Sequence, residues 1–433
     1  MYCGSCIRDN ALAAALRAAG HDVVLLPLYT PTLTDEENLS EPQVLFGGIS
    51  VYLEQKLPLF RHTPAFLDRL WDHPTLIRAA SSGAVSNDPR LLGDLTVSML
   101  RGRAGFQRKE FDKLLHWLGA QRPFDLVALP YALLIALAEP LRAATGAPVT
   151  CSLQGEDIFL DNLSASDKRT SLELIQKHEP FVDAFLAVSD TYAAYMTGYL
   201  GIPPAKMFVA PLGISLEGHD PGPRPRPEPF TVGFFTRVAP EKGLHLLVEA
   251  YRKLRQDRGL AAGKLEVAGY LDPGYRPYLG LQQDAMERAG LGAEFRYHGV
   301  LPRADKIRFL QGLSVFSVPA VSVEPKGLSV LEASANGVPF VLPRHGSFPE
   351  IAAKTGGGVL FEPGNADALA SALFELARDP ARAVELGQAG AAGVRREYSA
   401  ARMAERTLDV YARVVAERGA PRQDRVTAAV PAC

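Results

Sequence analysis

Arg237 and Lys242 stand five residues apart in "VGFFTRVAPEKGLHLLVEA", where an apolar run ending at Thr236 gives way to a turn and then to helical spacing. Two cations at the carboxyl end of a strand can converge on one diphosphate, and that edge of an α/β sheet is where ligands collect. Taken alone, the same pair reads as solvated surface charge beside Glu241. The second stretch, "SVEPKGLSVLEASANGVP", separates Glu324 from Glu332 by seven residues, with Gly327 opening a helix between them. Glycine there lets backbone N–H groups come close to a ligand, and a helix start favours anions. Both carboxylates are acceptors suited to sugar hydroxyls, Glu324 from the loop and Glu332 facing back along the helix. An ordinary helix salt bridge is the alternative for Glu332. A third stretch, "RHGSFPEIAAKTGGGVLFEPGNADALASAL", supplies a turn with Glu350, then a strand and a helix.

The amino end raises a different chemistry. In "MYCGSC", Cys3 and Cys6 flank Gly4 and Ser5 just before a helical run. A helix start lowers a thiol pKa, so a redox pair is one reading. Half of a zinc site is another, but no second Cys or His pair lies at suitable spacing. The third is a glycine turn with cysteines lining a cleft and no obligatory redox chemistry. Chain length and the downstream motifs favour this last reading. His21 reads as a turn residue, and His298 as a core histidine or a wall of a base pocket. Gly47 and Gly48 read as a strand entrance.

These residues need elements to hold them. At 433 residues the chain fits two domains. Apolar residues make up 47% and charged residues 22%, the balance of a globular protein, and a net charge of −2 gives no footprint for nucleic acid. No apolar run reaches the ~18 residues of a membrane span, "MYCGSCIRDN" lacks the basic start and apolar stretch expected of a signal peptide, and four cysteines are too few for a disulfide framework. A cytoplasmic address is expected. Short apolar runs alternate with helical periods throughout, which predicts α/β layers with parallel sheets. In the first half, strands are expected at 22–28, 124–130, 148–152, 184–188 and 207–210. Helices are expected at 10–19, 133–144 and 191–200. An irregular insertion from 31 to 119 should hold a strand at 44–53 and two or three helices. "HDPGPRPRPEP", residues 219–229, has five prolines and reads as the linker. Beyond it, strands are expected at 231–236, 264–268, 295–298, 315–318, 339–342 and 358–361, with helices at 244–255, 328–336 and 366–378. A long helix at 400–418 closes the fold, and 419–433 carries no pattern.

Together the three downstream stretches resemble the carboxyl-terminal half of family-4 glycosyltransferases. The resemblance rests on the cations of "RVAPEKG", the E-x7-E element "EPKGLSVLE" and the "PE" turn with its glycine-rich strand, and covers residues 230–418. It implies the GT-B fold: an α/β chain of two Rossmann-like, doubly wound domains facing across a cleft. The expected boundaries are 1–218 for the acceptor-side domain, 219–229 for the linker, 230–398 for the donor domain and 399–418 for a helix crossing back to the first domain. It also implies a retaining transfer from a nucleotide-diphosphate sugar to a carbohydrate or lipid-linked acceptor. Arg237 and Lys242 would hold the diphosphate, and amides at Gly327, Leu328 and Ser329 its distal phosphate or the sugar. Glu332 would bind the ribose hydroxyls and Glu324 the transferred sugar. Fixed cations and amides can stabilise charge on the leaving group. No Asp-x-Asp pair is present, so no metal and no cofactor are expected.

The first half resembles the family less closely. "RDNALAAALRAAGHDVVLLPLY" looks like the family's first helix and second strand, with Gly4 and Ser5 as the preceding loop. A first strand should come before Gly4, in the sheet's centre, and only Met1 and Tyr2 are there. The expectation is therefore that translation starts upstream of Met1. In "VTCSLQGEDIF", Gln154 stands where many members carry histidine. It can bind a hydroxyl but cannot shuttle a proton. Glu156 and Asp157 are then acceptor-side candidates, with helix capping as the alternative. A nucleotide-sugar epimerase, a non-catalytic nucleotide-sugar binder and a thiol oxidoreductase are the rival readings. Peripheral contact with a membrane through a lipid acceptor is compatible with all of this.

Overall fold

The computed structural model describes residues 4–63, 89–222, 227–418 and 428–432. The chain divides into two compact units, one of Leu212–Arg402 and one of Tyr2–Pro211 with Met403–Cys433.

The unit of Leu212–Arg402 holds a six-stranded sheet in the order β11-β10-β9-β6-β7-β8, every pair parallel. Its strands are β6 (Phe230–Phe235), β7 (Gly263–Ala268), β8 (Phe295–Tyr297), β9 (Val315–Phe316), β10 (Phe340–Pro343) and β11 (Gly358–Phe361). "FTVGFF" forms β6 because an unbroken apolar run suits a strand covered on both faces. The strand order reverses between β6 and β9, which opens a crevice at their carboxyl ends. Helix Leu244–Gln256 follows β6 and buries Leu244, Leu247, Val248, Tyr251 and Leu254, the one-sided stripe of an amphipathic helix.

The other unit also has a parallel sheet, in the order β1-β12-β2-β3-β4-β5. The strands are β1 (Val23–Pro27), β2 (Leu126–Leu129), β3 (Val149–Leu153), β4 (Ala184–Ala187), β5 (Met207–Val209) and β12 (Ala428–Ala432). Helix Gly4–Ala18 buries Leu12 and Leu16. Helix Ala400–Glu417 contributes Met403, Val410, Tyr411 and Val414 to burial. It is tied down at its end by Arg418, whose Nε donates to Asp183 at 2.8 Å. The Arg413 guanidinium lies 5.1 Å from the Phe208 ring centroid.

Three expectations are corrected by the structure. The slot foreseen for a strand ahead of Gly4 is filled by Ala428–Ala432, from the segment expected to lack pattern. This strand runs from Val23↔Ala428 to Pro27↔Ala432 on the β1 side. On the β2 side it pairs only at Ala428 and Ala429, two residues before Pro431, whose nitrogen has no hydrogen to give. Residues 44–53 do not form a strand: Gly48–Lys56 is a helix, since Ser50, Val51 and Glu54 are buried at helical spacing. Only a bridge between Leu28 and Leu45 remains of the expected pairing. Gly4 and Ser5 are the first turn of a helix rather than a loop before it. His219, at the expected linker start, is buried, with its Nδ1 facing Asn336 Nδ2 at 2.8 Å and its carbonyl accepting from Arg395 at 3.0 Å. Cys3, linker residues 223–226, tail residues 419–427 and insertion residues 64–88 lie outside the described residues. Among the described residues no helix is long and apolar enough to cross a membrane.

Candidate active site

In the unit of Leu212–Arg402, the loops after β6 and β9 meet at the reversal of strand order. The β6 loop is anchored to its neighbour when Val238 donates to the Tyr270 carbonyl at 2.8 Å. It then turns through Pro240–Lys242 to Gly243, which has φ +76. A Cβ at Gly243 would fall 1.9 Å from the Pro319 carbonyl oxygen, so only glycine lets the two loops approach. The Glu241 carbonyl accepts from Val321 at 2.9 Å and fastens them together.

Lys242 Nζ and Glu324 Oε2 meet at 2.5 Å with both side chains largely buried, 15% and 14% exposed. Glu324 Oε1 also accepts from the amides of Lys326 at 3.1 Å and Gly327 at 3.4 Å. Burial pushes this carboxyl up, but the Lys242 ammonium and the two amides outweigh it and hold its pKa below the ordinary value. Gly327 has φ +69 and begins helix Leu328–Ala335; a Cβ there would lie 2.6 Å from Ile351 Cδ1. The helix thus starts at the carboxylate, with its first amides at the crevice.

Arg237 lies on the same loop as Lys242, 44% exposed, and pairs with Glu241 at 2.5 Å. Glu332 does not join the Lys242–Glu324 pair. Its carboxylate meets Lys306 Nζ, from helix Arg303–Gln311, at 2.5 Å, and Lys306 is almost fully buried. Glu350 pairs with Lys354 at 2.6 Å within its own helix. His298 faces Glu266 and sets its ring edge-on to Phe309. Each foreseen cation of the β6 loop therefore meets a carboxylate. Lys306 was passed over, because a partner from another helix leaves no trace in local spacing.

In the other unit, the candidates at the carboxyl end of β3 form a buried polar cluster. Gln154 is 4% exposed; its Nε2 donates to the Pro130 carbonyl at 2.8 Å and reaches Asp9 at 3.4 Å. Its Oε1 finds no partner among the described residues. Arg8 Nη1 donates to Asp9 at 2.8 Å and to Ser152 Oγ at 3.3 Å. Glu156 accepts from the amides of Ala132 at 3.0 Å and Gln154 at 2.7 Å, yet burial raises its pKa. Tyr192 donates to Asp157 at 2.5 Å and accepts from the Gly155 amide at 2.8 Å. Cys151, within β3, is a buried free thiol whose pKa burial raises well above the ordinary value. Cys6 is likewise buried. Arg8, Asp9 and Tyr192 were missed by sequence reasoning. The adjacent opposite charges in "IRDN" on an apolar helix were the available signal.

Comparison with known proteins matches residues 219–392 to "Glycosyl transferases group 1" and residues 8–213 to "Glycosyl transferase 4-like domain". A GDP-mannose-dependent alpha-(1-6)-phosphatidylinositol monomannoside mannosyltransferase of Mycolicibacterium smegmatis is 26% identical over 338 residues, 74% of this chain and 78% of that protein. Among solved structures, Anabaena HepE in complex with UDP is similar with TM-score 0.63 and 15% identity, covering 90% of this chain and 100% of that one. The sucrose-phosphate synthase of Thermosynechococcus elongatus gives TM-score 0.62 and 19% identity over 94% of this chain and 92% of its own. These two likenesses speak for the fold, in which two parallel sheets flanked by helices make two Rossmann-like domains. The chain belongs to the family-4-like glycosyltransferases of GT-B fold, enzymes that take their sugar from a nucleotide-sugar donor.

Proposed function

We propose that this enzyme transfers a sugar with retention of configuration, and without a metal ion, from a nucleotide-diphosphate sugar to a carbohydrate or lipid-linked acceptor. The observation that carries the reading is the Lys242–Glu324 pair beside the start of helix Leu328–Ala335. In this reading Lys242 leaves Glu324 for the donor diphosphate, where Arg237 joins it. The freed Glu324 carboxylate accepts hydroxyls of the transferred sugar. Amides at Gly327, Leu328 and Ser329 face the distal phosphate, and Glu332 takes the ribose.

The bond from the anomeric carbon to the diphosphate oxygen breaks, and negative charge gathers on that oxygen. In this reading the two cations and the helix amides stabilise that charge once the donor is bound. The acceptor hydroxyl bonds to the anomeric carbon on the face the diphosphate leaves, and its proton passes to the departing diphosphate. Gly4, Ser5, Gln154, Glu156 and Asp157 are the acceptor-side residues. The unpartnered Gln154 Oε1 supports this, being a buried acceptor suited to a hydroxyl. A cytoplasmic address, with peripheral membrane contact when the acceptor is a lipid, belongs to the same reading.

Thermal shift with GDP-mannose and UDP-glucose tests it first. The donor that raises the unfolding temperature should be turned over, giving a product whose anomeric configuration by NMR matches the donor. Inversion would overturn retention. Activity lost on chelation and restored by Mg²⁺ or Mn²⁺ would overturn metal independence. Full activity in Lys242→Ala would overturn the site.

A further inference from the structure

Helix Asp190–Leu200 carries tyrosines at 192, 195 and 199, a spacing that sets all three along one stripe. Tyr195 and Tyr199 stack with ring centroids 5.4 Å apart and planes 27° from parallel. Tyr192 and Tyr195 follow at 6.3 Å and 34°. Each end of the stripe is held by a carboxylate from the short helix Glu156–Asp161. Tyr192 donates to Asp157 at 2.5 Å, and Tyr199 donates to Asp161 at 2.6 Å. Asp161 is also paired with Lys168 at 2.7 Å, whose ammonium lies 5.2 Å from the Tyr199 ring centroid. The middle ring is different. Tyr195 is 46% exposed, and its hydroxyl has no protein partner among the described residues.

We propose that this tyrosine stripe is a carbohydrate-binding subsite that holds a sugar unit of the acceptor away from the reacting hydroxyl. A pyranose offers an apolar C–H surface and a rim of hydroxyls. The electron-rich faces of aromatic rings suit the first, and carboxylates such as Asp157 and Asp161 accept hydrogen bonds from the second. A stripe built only for packing would bury its central ring; here the outer two are braced and the central one is left to solvent. The stripe is also continuous with the cluster at the end of β3, because Tyr192 and Asp157 belong to both. From residue 192 to residue 199 a helix advances about 10 Å, longer than a single sugar ring. The inference rests on the proposed carbohydrate-bearing acceptor and adds where a second unit of it binds.

The test uses the full chain and its Tyr195→Ala and Tyr195→Phe variants on a printed array of mono- and disaccharide glycosides of the common hexoses, with UDP and GDP present. Wild type should be retained on at least one glycoside, with Tyr195→Ala weakened about tenfold. Tyr195→Phe keeps the ring and should bind as wild type does. Unfolding temperature and nucleotide binding should match across all three, since the exposed ring supports no core and no donor residue. Equal retention of Tyr195→Ala and wild type, or no retention of wild type on any glycoside, overturns the subsite. If donor turnover persists alongside either result, the transferase reading stands while the subsite falls. Absence of donor turnover in wild type overturns that reading itself.

Discussion

The two sheets share an architecture and differ in what lies at their centres and edges. In the unit of Leu212–Arg402, the central strand β6 opens the sheet and its neighbours follow from one contiguous stretch of chain. In the other unit the corresponding position belongs to β12, so that Val23 is paired with Ala428. The charged groups diverge as well. Arg237 stands at the rim, half in solvent, and Lys242 is only 15% exposed, each against a carboxylate, whereas Arg8 and Asp9 are sealed at 2% and 0% exposure. A rim cation can exchange one anion for another at little desolvation cost, while a buried pair is expensive to separate. One unit is thus arranged for charges that change partners, and the other for a rigid polar frame.

Removing residues 428–432 should break this comparison most severely. Opening the ladder beside β1 and β2 leaves several buried backbone groups unpaired, at roughly 1–3 kcal/mol each. Calorimetry should show the transition of the discontinuous unit falling while that of Leu212–Arg402 stays in place. An unmoved pair of transitions would show that β12 adds nothing to the sheet. Lys242→Ala comes next, with transfer kcat/KM reduced about 10²–10³-fold, as for loss of one charge-stabilising donor. Arg237→Ala, at a more exposed position, should lose about tenfold less than that. A crowded and an open glycine sharpen the contrast further. Gly243→Ala sets a Cβ against the Pro319 carbonyl and should cost about 3 kcal/mol by denaturant unfolding. Gly20→Ala also has positive φ, but nothing lies within 4 Å, so the cost should be about 1 kcal/mol.

The smallest effect is in the pH dependence, and its sign differs between the units. Burial raises the Glu156 pKa, so the folded state keeps a proton that the unfolded chain releases near the ordinary value of about 4.3. That contribution is present at low pH and is lost as pH rises through the folded value. Glu324 is depressed, so its contribution is present above the ordinary value and is lost as pH falls through the folded one. Glu156→Gln should flatten the slope of its unit above about pH 4.3, and Glu324→Gln the acid limb of the other below it. Unfolding temperatures across pH check both; a slope change of the opposite sign in either variant contradicts the assignment.

Much of the sheet skeleton was legible because parallel strands are short apolar runs, and "FTVGFF" or "VTCSL" can be little else. The Lys242–Glu324 pairing was foreseeable only as convergence of two motifs, since 82 residues separate the partners. What escaped had physical reasons. Helix Pro380–Glu397 carries three glycines, which lower its intrinsic signal. The helix Gly48–Lys56 was hidden by its β-branched and aromatic residues, which speak for a strand until burial decides. The Lys306–Glu332 pair and the tyrosine braces join separate elements, and no local window contains both partners.

Helix Ala400–Glu417 carries one further consequence, for the order in which the protein is made. Met403 onward belongs with Tyr2–Pro211, yet the ribosome must first synthesise all of Leu212–Arg402. At ~5–20 residues per second that interval is roughly 10–40 s, during which the first-born sheet waits for its closing helix. The half of the enzyme that emerges first is the half completed last.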